Sequence, residues 1–185
     1  MRLKDRTCVI TGGSSGIGAA TVRRFVAEGA EVLIADINLE QAQALAAELG
    51  DAVSAISCDV RFEDQVQRVA EAALQRWDHV DILVNNAGAE LNRPYDQQTV
   101  EEWDRVQDTD LKGPWLLCKH IVPGLGARGS GSVINIASLT GLVGFPLSPA
   151  YGGAKGGLVV FTRDLAIALA SSGVRINCVG PGVIA

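Results

Sequence analysis

Ser138, Tyr151 and Lys155 have the types and spacing needed to move a proton at an alcohol or carbonyl oxygen. Tyr151 and Lys155 are four residues apart, so a helix places the ammonium beside the phenol. Because an ordinary tyrosine pKa of about 10 makes a poor base at neutral pH, we expect the neighbouring cation to lower it. Ser138 follows the apolar run SVINIA, typical of a buried strand, and its hydroxyl could polarise a substrate oxygen. Together the three side chains predict carbonyl and alcohol redox chemistry.

The segment TGGSSGIG, residues 11–18, lies between the apolar run TCVI and a helical stretch. A strand, a glycine turn and a helix in this order form a cradle for phosphate. Gly12 and Gly13 permit close approach to a pyrophosphate, and Gly18 permits close packing of the helix on the sheet. A YxxxK motif or a serine at a strand end is more often structural when it stands alone. The glycine segment reverses that balance and predicts a dinucleotide cofactor.

Asp36 ends the next apolar run, EVLIAD, at the distance expected for a carboxylate that accepts hydrogen bonds from the adenosine ribose. It would repel a 2′-phosphate, and neither Ile37 and Asn38 nor Ser14 and Ser15 supply a cation to neutralise one. The sequence therefore predicts NAD in preference to NADP. The alternative role for Asp36 is a charge near the N-terminus of the following helix.

Taken together, these motifs make the chain resemble a short-chain dehydrogenase/reductase of the ordinary single-domain type, from end to end. The resemblance implies hydride transfer between nicotinamide and a secondary alcohol or ketone, with Tyr151 as acid/base and Lys155 also holding the nicotinamide ribose. The family's fourth catalytic position corresponds to Asp110. The implied cofactor-binding residues are Gly12, Ser14, Ser15, Gly16, Ile17, Gly18, Asp36, Asp59, Val60, Asn86, Ala87, Gly88, Tyr151, Lys155, Pro181 and Gly182.

Position 110 departs from the family pattern, because this chain reads TDLKG where the family usually has an asparagine in a stretch resembling VNLKG. Thr99 and Glu102 predict a capping box at the start of this helix. Pro114 lacks the N–H that would bond the Asp110 carbonyl, and in the family this position resembles a helix irregularity. Helical periodicity predicts one inward stripe made of Trp103, Val106, Asp110, Gly113 and Leu117.

A buried carboxylate at position 110 is costly unless it is paired. Two interpretations stay open at this point. Asp110 either pairs with Lys155 and draws it away from Tyr151, or it is tolerated through a local hydrogen-bond partner.

The rest of the sequence alternates strand and helix patterns. This alternation predicts an α/β fold with a doubly wound parallel sheet, the Rossmann fold, in one NAD(P)-binding domain over residues 1–185. Relative to the family, we expect the final strand and the substrate lid to be missing after Ala185, either because the sequence is a fragment or because it is a short variant that has lost its lid. Strands are predicted near Cys8, Val32, Val53, Ile82, Val133 and Ile176, and helices near Val22, Ala44, Val69, Val106 and Leu165.

Composition narrows the function classes. With 48% hydrophobic residues the chain can bury a sizeable core, and its net charge of −5 argues against a nucleic-acid partner. The apolar runs are too short for a signal peptide or a membrane span, which predicts a cytoplasmic protein. Cys8, Cys58, Cys118 and Cys178 lack metal-ligand spacing, so we interpret them as reduced packing residues and predict no metal.

The expected partner is a small-molecule alcohol or carbonyl compound. The resemblance also implies a homodimer or homotetramer, because the family often pairs the helices that correspond to those containing Trp103 and Phe161. Two other classes of function stay open. One is an NAD-binding module without useful turnover, motivated by Asp110 and the expected missing lid. The other is a subunit whose main role is assembly, motivated by this pairing of helices in the family.

Overall fold

A computed structural model describes residues 1–184 and contains one six-stranded sheet. All neighbouring strands are parallel, in the order β3-β2-β1-β4-β5-β6. The strand order reverses between β1 and β4, as in a doubly wound dinucleotide-binding sheet. The predicted α/β Rossmann architecture and all six predicted strand positions are confirmed. The strands are β1 (Thr7–Thr11), β2 (Glu31–Asp36), β3 (Val53–Ser57), β4 (Ile82–Asn85), β5 (Gly131–Ile136) and β6 (Val174–Val179).

Six α-helices connect or follow the strands within these residues. Each predicted helix is present, but the one predicted around Val106 has two α-helical parts joined by a π-helical turn at Asp108–Lys112. The predicted capping box of Thr99 and Glu102 is confirmed at its start. The helices are α1 (Gly16–Ala27), α2 (Leu39–Leu49), α3 (Glu63–Trp77), α4 (Val100–Gln107), α5 (Gly113–Ala127) and α6 (Pro149–Ala168).

The apolar core lies in two layers, one on each face of the sheet. Val9 and Leu83 belong to the layer packed against α3 and α5, whereas Ile10 and Val32 belong to the layer packed against α1 and α2. Successive strand residues alternate between the layers, and every residue of β1 is buried. Such runs are apolar without alternation because a parallel sheet is covered on both faces.

Side-chain burial corrects one detail of the predicted inward stripe. Asp110 and Leu117 are fully buried, but Trp103 is 43% exposed. Trp103 lies near the start of α4 and reaches only the first turns of α6, beside Pro149 and Gly153, so part of its ring stays in solvent. Among residues 1–184, the helices are all too short or too polar to cross a bilayer.

Candidate active site

A cavity of about 760 Å³ runs along the carboxyl ends of the strands. This is the edge of a doubly wound sheet at which ligands bind. Ser14, Gly18 and Asp110, all predicted from the sequence, lie outside its lining. The predicted residues that line it are Gly12, Ser15, Gly16, Ile17, Asp36, Asp59, Val60, Asn86, Ala87, Gly88, Ser138, Tyr151, Lys155, Pro181 and Gly182.

The glycine segment is held tightly against the loop that follows β4. Gly12 has a φ of 62°, and a Cβ there would lie 2.8 Å from the Ala87 Cα. A Cβ on Gly18 would overlap the Gly12 carbonyl oxygen. The Asn86 side chain donates to the carbonyl oxygens of Thr11 and Gly12 at 3.0 and 2.9 Å. Gly18 therefore allows the first turn of α1 to pack closely against the Gly12 carbonyl. The wall beside this turn is formed by backbone atoms, not by side chains.

Asp36 lies at the end of β2, 7% exposed, with its carboxylate at the cavity wall. Its Oδ2 accepts from the Ser14 N–H and its Oδ1 from the Asn38 N–H, both at 2.9 Å. Each carboxylate oxygen has a second acceptor position, so both remain able to receive a ligand hydroxyl. Ser14 thus contributes by fixing Asp36. The alternative role of Asp36, as a charge near the N-terminus of α2, is only partly supported, because the residue that caps this helix is Asn38.

Asp59 is paired with a residue that the sequence analysis did not select. Arg61 Nε and Nη2 contact both carboxylate oxygens of Asp59 at 2.6 to 3.0 Å. This guanidinium holds the pKa of Asp59 below its usual value. Arg61 also lines the cavity, so the adenosine end that the resemblance implies is bounded by an ion pair and not by a lone acid.

Ser138, Tyr151 and Lys155 lie together at the other end of the cavity. The Lys155 Nζ is 5.5 Å from the centre of the Tyr151 ring and donates to the Ile136 carbonyl at 2.8 Å. Ser138 follows β5 and accepts from the Thr140 hydroxyl at 2.9 Å. The structure therefore brings these three predicted side chains together in one cavity.

The expected lowering of the Tyr151 pKa is wrong. Burial raises this pKa above its usual value, the hydrogen bond with Ser138 opposes the rise, and the charges of Asp110 and Glu90 add to it. Burial also lowers the pKa of Lys155, against the attraction of Asp110. Sequence spacing identified the cation but carried no information on burial, which destabilises both charged forms.

Asp110 combines both interpretations left open by the sequence. Its Oδ1 accepts from the Ala89 N–H at 2.8 Å and lies 3.9 Å from the Lys155 Nζ. Its Oδ2 is buried without a hydrogen-bond partner among the described residues. Burial raises the pKa of Asp110 from 3.8 to about 6, although Lys155 and the Ala89 N–H pull it down. The π-helical turn containing Asp110 stands directly before Pro114, where a main-chain donor is missing.

Several residues that line the cavity belong to no recognisable sequence motif. Glu90 lies two residues after Gly88, and Arg105 and Thr109 lie on consecutive turns of the helix that leads to Asp110. Proximity to a predicted residue was therefore the available signal. Ile37 and Cys58 are neighbours of Asp36 and Asp59 in the sequence. The cavity walls that were missed are formed by Ala35, Ile37, Cys58, Arg61, Ala89, Glu90, Arg105, Thr109, Ile136, Ala137 and Ile184.

Known proteins resemble this chain along its whole length. A family model described as short chain dehydrogenase matches residues 6–185. A 3-oxoacyl-acyl-carrier-protein reductase of Thermotoga maritima is 36% identical over 187 residues, covering 100% of this chain and 76% of that protein. A galactitol 2-dehydrogenase of Agrobacterium fabrum is 37% identical and a sorbitol dehydrogenase of Cereibacter sphaeroides 38%, each covering 100% of this chain and 72% of its own length.

The chain therefore belongs to the short-chain dehydrogenase family. Membership makes it an oxidoreductase of alcohol or carbonyl groups on small molecules, with a nicotinamide cofactor.

Proposed function

We propose that this protein is an NAD-dependent oxidoreductase that interconverts a secondary alcohol and a ketone, with Tyr151 as the acid/base. The relatives that act on galactitol and sorbitol support an alcohol substrate. One observation carries the proposal: Ser138, Tyr151 and Lys155 share a cavity with Asp36 and the glycine segment. A dinucleotide held by the glycine segment would therefore share this cavity with the phenol.

The residues present fit a dinucleotide. Because Gly12 and Gly18 lack a Cβ, the segment folds closely against the loop after β4 and presents its backbone to the cavity. Asp36 presents a carboxylate already oriented by two N–H donors. We infer that Asp36 accepts from the ribose hydroxyls and that its charge disfavours NADP. When bound, the nicotinamide supplies the hydride acceptor or donor.

The three polar side chains handle the proton. In alcohol oxidation, the Tyr151 oxygen takes the hydroxyl proton while Ser138 donates a hydrogen bond to the substrate oxygen. In carbonyl reduction, the same phenol returns the proton. Lys155, fixed by the Ile136 carbonyl, keeps a positive charge beside the ring and favours the phenolate.

The test uses the two tyrosines of the chain. Tyr151→Phe is expected to abolish turnover of NAD with a panel of secondary alcohols while leaving NAD affinity nearly unchanged, because the phenol acts on the substrate. Tyr95→Phe is the matched control, since Tyr95 is 79% exposed and outside this cavity. Near-normal activity of Tyr151→Phe would remove the phenol from the mechanism.

A second candidate function is an NAD-binding module without useful turnover. The ion pair of Asp110 with Lys155 and the raised pKa of Tyr151 favour it, because both lower the fraction of Tyr151 that is phenolate at neutral pH. Tight NAD binding by the unmodified chain, with no turnover across the alcohol panel or with the matching ketones and NADH, would support this candidate.

A further inference from the structure

The carboxylate of Asp110 lies in an unusual setting for an ionisable group. It is fully buried within residues 1–184, one oxygen is held by the Ala89 N–H, and the other lacks a partner among these residues. Gly88 lies against both members of the ion pair, since a Cβ there would be 3.0 Å from Asp110 Oδ1 and 3.7 Å from Lys155 Nζ. An asparagine at position 110 could accept the same backbone hydrogen bond. The negative charge is therefore not needed to hold the loop.

Charged groups on every element around Asp110 determine what its charge does. Lys155 and Tyr151 face it from α6 and Arg105 from α4, whereas Glu90, on the loop after β4, acts on Tyr151. Lys155 in turn faces Cys178 on β6. Because the pKa of Asp110 is about 6, its carboxylate is mostly ionised at neutral pH. A negative charge beside Lys155 offsets the cation that favours the Tyr151 phenolate.

We propose that Asp110 is a positioning residue whose negative charge offsets that of Lys155, so that the Tyr151 phenol loses its proton only at a higher pH than it would beside Lys155 alone. Alcohol oxidation, which needs the phenolate, then requires a higher pH in this chain than it would with a neutral side chain at position 110. Carbonyl reduction starts from the protonated phenol, which is the form present at neutral pH. The catalytic part of this proposal rests on the proposed function, but its electrostatic part concerns the isolated protein.

The electrostatic part is tested by titrating Tyr151 alone. In a Tyr95→Phe background, Tyr151 is the single tyrosine, and its ionisation is followed by the ultraviolet absorbance of tyrosinate. Adding Asp110→Asn is expected to move the midpoint to lower pH. The matched control is Asp108→Asn, on the same π-helical turn, because Asp108 is partly exposed and pairs with Lys112 at 2.8 Å. Circular dichroism at each pH checks that the fold persists, and the comparison is limited to the pH range in which it does.

An unchanged or higher midpoint in Asp110→Asn would overturn the proposal, since it would show that Asp110 acts by retaining the Lys155 charge or has no effect on the ring. Salt provides a second discriminator. The difference between the two proteins should persist at high ionic strength because Asp110 is buried, whereas a contribution from the exposed Glu90 should be screened. Loss of the difference in salt would also count against Asp110.

The catalytic part is tested by the pH profile of kcat for alcohol oxidation. Asp110→Asn is expected to move the rising limb of this profile to lower pH. At any pH well below the midpoint, lowering the tyrosine pKa by about 1 raises the phenolate fraction about tenfold. Asp108→Asn should follow the original profile. A tyrosine titration that moves while the kcat profile stays in place would overturn the catalytic part. A titration that moves in a protein without turnover refutes the proposed function and leaves the electrostatic part supported.

Discussion

Replacing Asp36 by asparagine tests the predicted cofactor preference with the least change in shape. The carboxylate is almost fully buried and accepts from the N–H groups of Ser14 and Asn38. Asparagine keeps one carbonyl oxygen for these donors but removes the negative charge. The variant is therefore expected to bind NADP more tightly and NAD somewhat less tightly than the original chain.

The size of the effect follows from two contributions. Unit charges roughly 5 Å apart interact by about 3 kcal/mol at an effective dielectric constant of about 20, and salt in an open cavity reduces this repulsion. Charge-assisted hydrogen bonds to the ribose exceed neutral ones by about 1 kcal/mol. After screening, we expect the NAD preference to narrow by about 1–3 kcal/mol, or about 5- to 150-fold.

Calorimetric titration of each protein with NAD and with NADP measures this directly. Asp36→Ala is the second variant, and it is expected to weaken both cofactors because Ser14 and Asn38 lose their acceptor. Asp164→Asn is the control for net charge, since Asp164 is exposed on α6 and outside the cavity. Preference for NADP in the original chain would refute the prediction. An unchanged ratio in Asp36→Asn, with weak binding in Asp36→Ala, would reduce Asp36 to an anchor of the glycine segment.

Three other substitutions probe the cradle, a helix and the buried pair. Gly18→Ala should abolish cofactor binding in calorimetry, because its Cβ overlaps the Gly12 carbonyl oxygen. Gly124→Ala, inside α5 with open space at its Cβ, should instead raise the free energy of unfolding by about 0.5–1 kcal/mol in urea. Asp110→Asn should raise the free energy of unfolding by up to about 3 kcal/mol at about pH 8 but should leave it unchanged near pH 4. The pKa of Asp110 in the folded protein is about 6, above its ordinary value of 3.8, despite the attraction of Lys155. Ionisation of Asp110 therefore destabilises the fold above about pH 6, and this penalty is lost as the pH falls. A gain that is equal at both pH values would contradict this reasoning.

The strands, the glycine segment and Asp36 could be predicted because their signals are local. A parallel strand buried on both faces is a short apolar run, as TCVI and EVLIAD are, and the glycines mark where backbone must approach backbone. Pro114 likewise marked an irregular helix, because a missing N–H is a property of the residue itself.

The electrostatics of the site could not be predicted in the same way. The pKa of Tyr151 depends on how much protein surrounds the ring. Arg61 and Glu90 line the cavity because of the paths that their loops take, which the sequence does not reveal. Trp103 fitted the helical period, but its burial depends on how far α6 extends beside it. Periodicity gives the direction of a side chain and leaves open whether another element covers it.

The two ends of the sheet differ in how well their polar groups are satisfied. At the amino ends, Asp81 accepts from the Thr7 N–H and from Arg6, at 3.0 and 3.1 Å. At the carboxyl ends, the buried Oδ1 of Asn85 and Oδ2 of Asp110 lack partners among the described residues. Buried polar groups without partners are costly, and they are often found at functional sites. The same edge holds the cavity and the proposed acid/base, so these unpaired groups lie beside the site at which a nucleotide and substrate would bind.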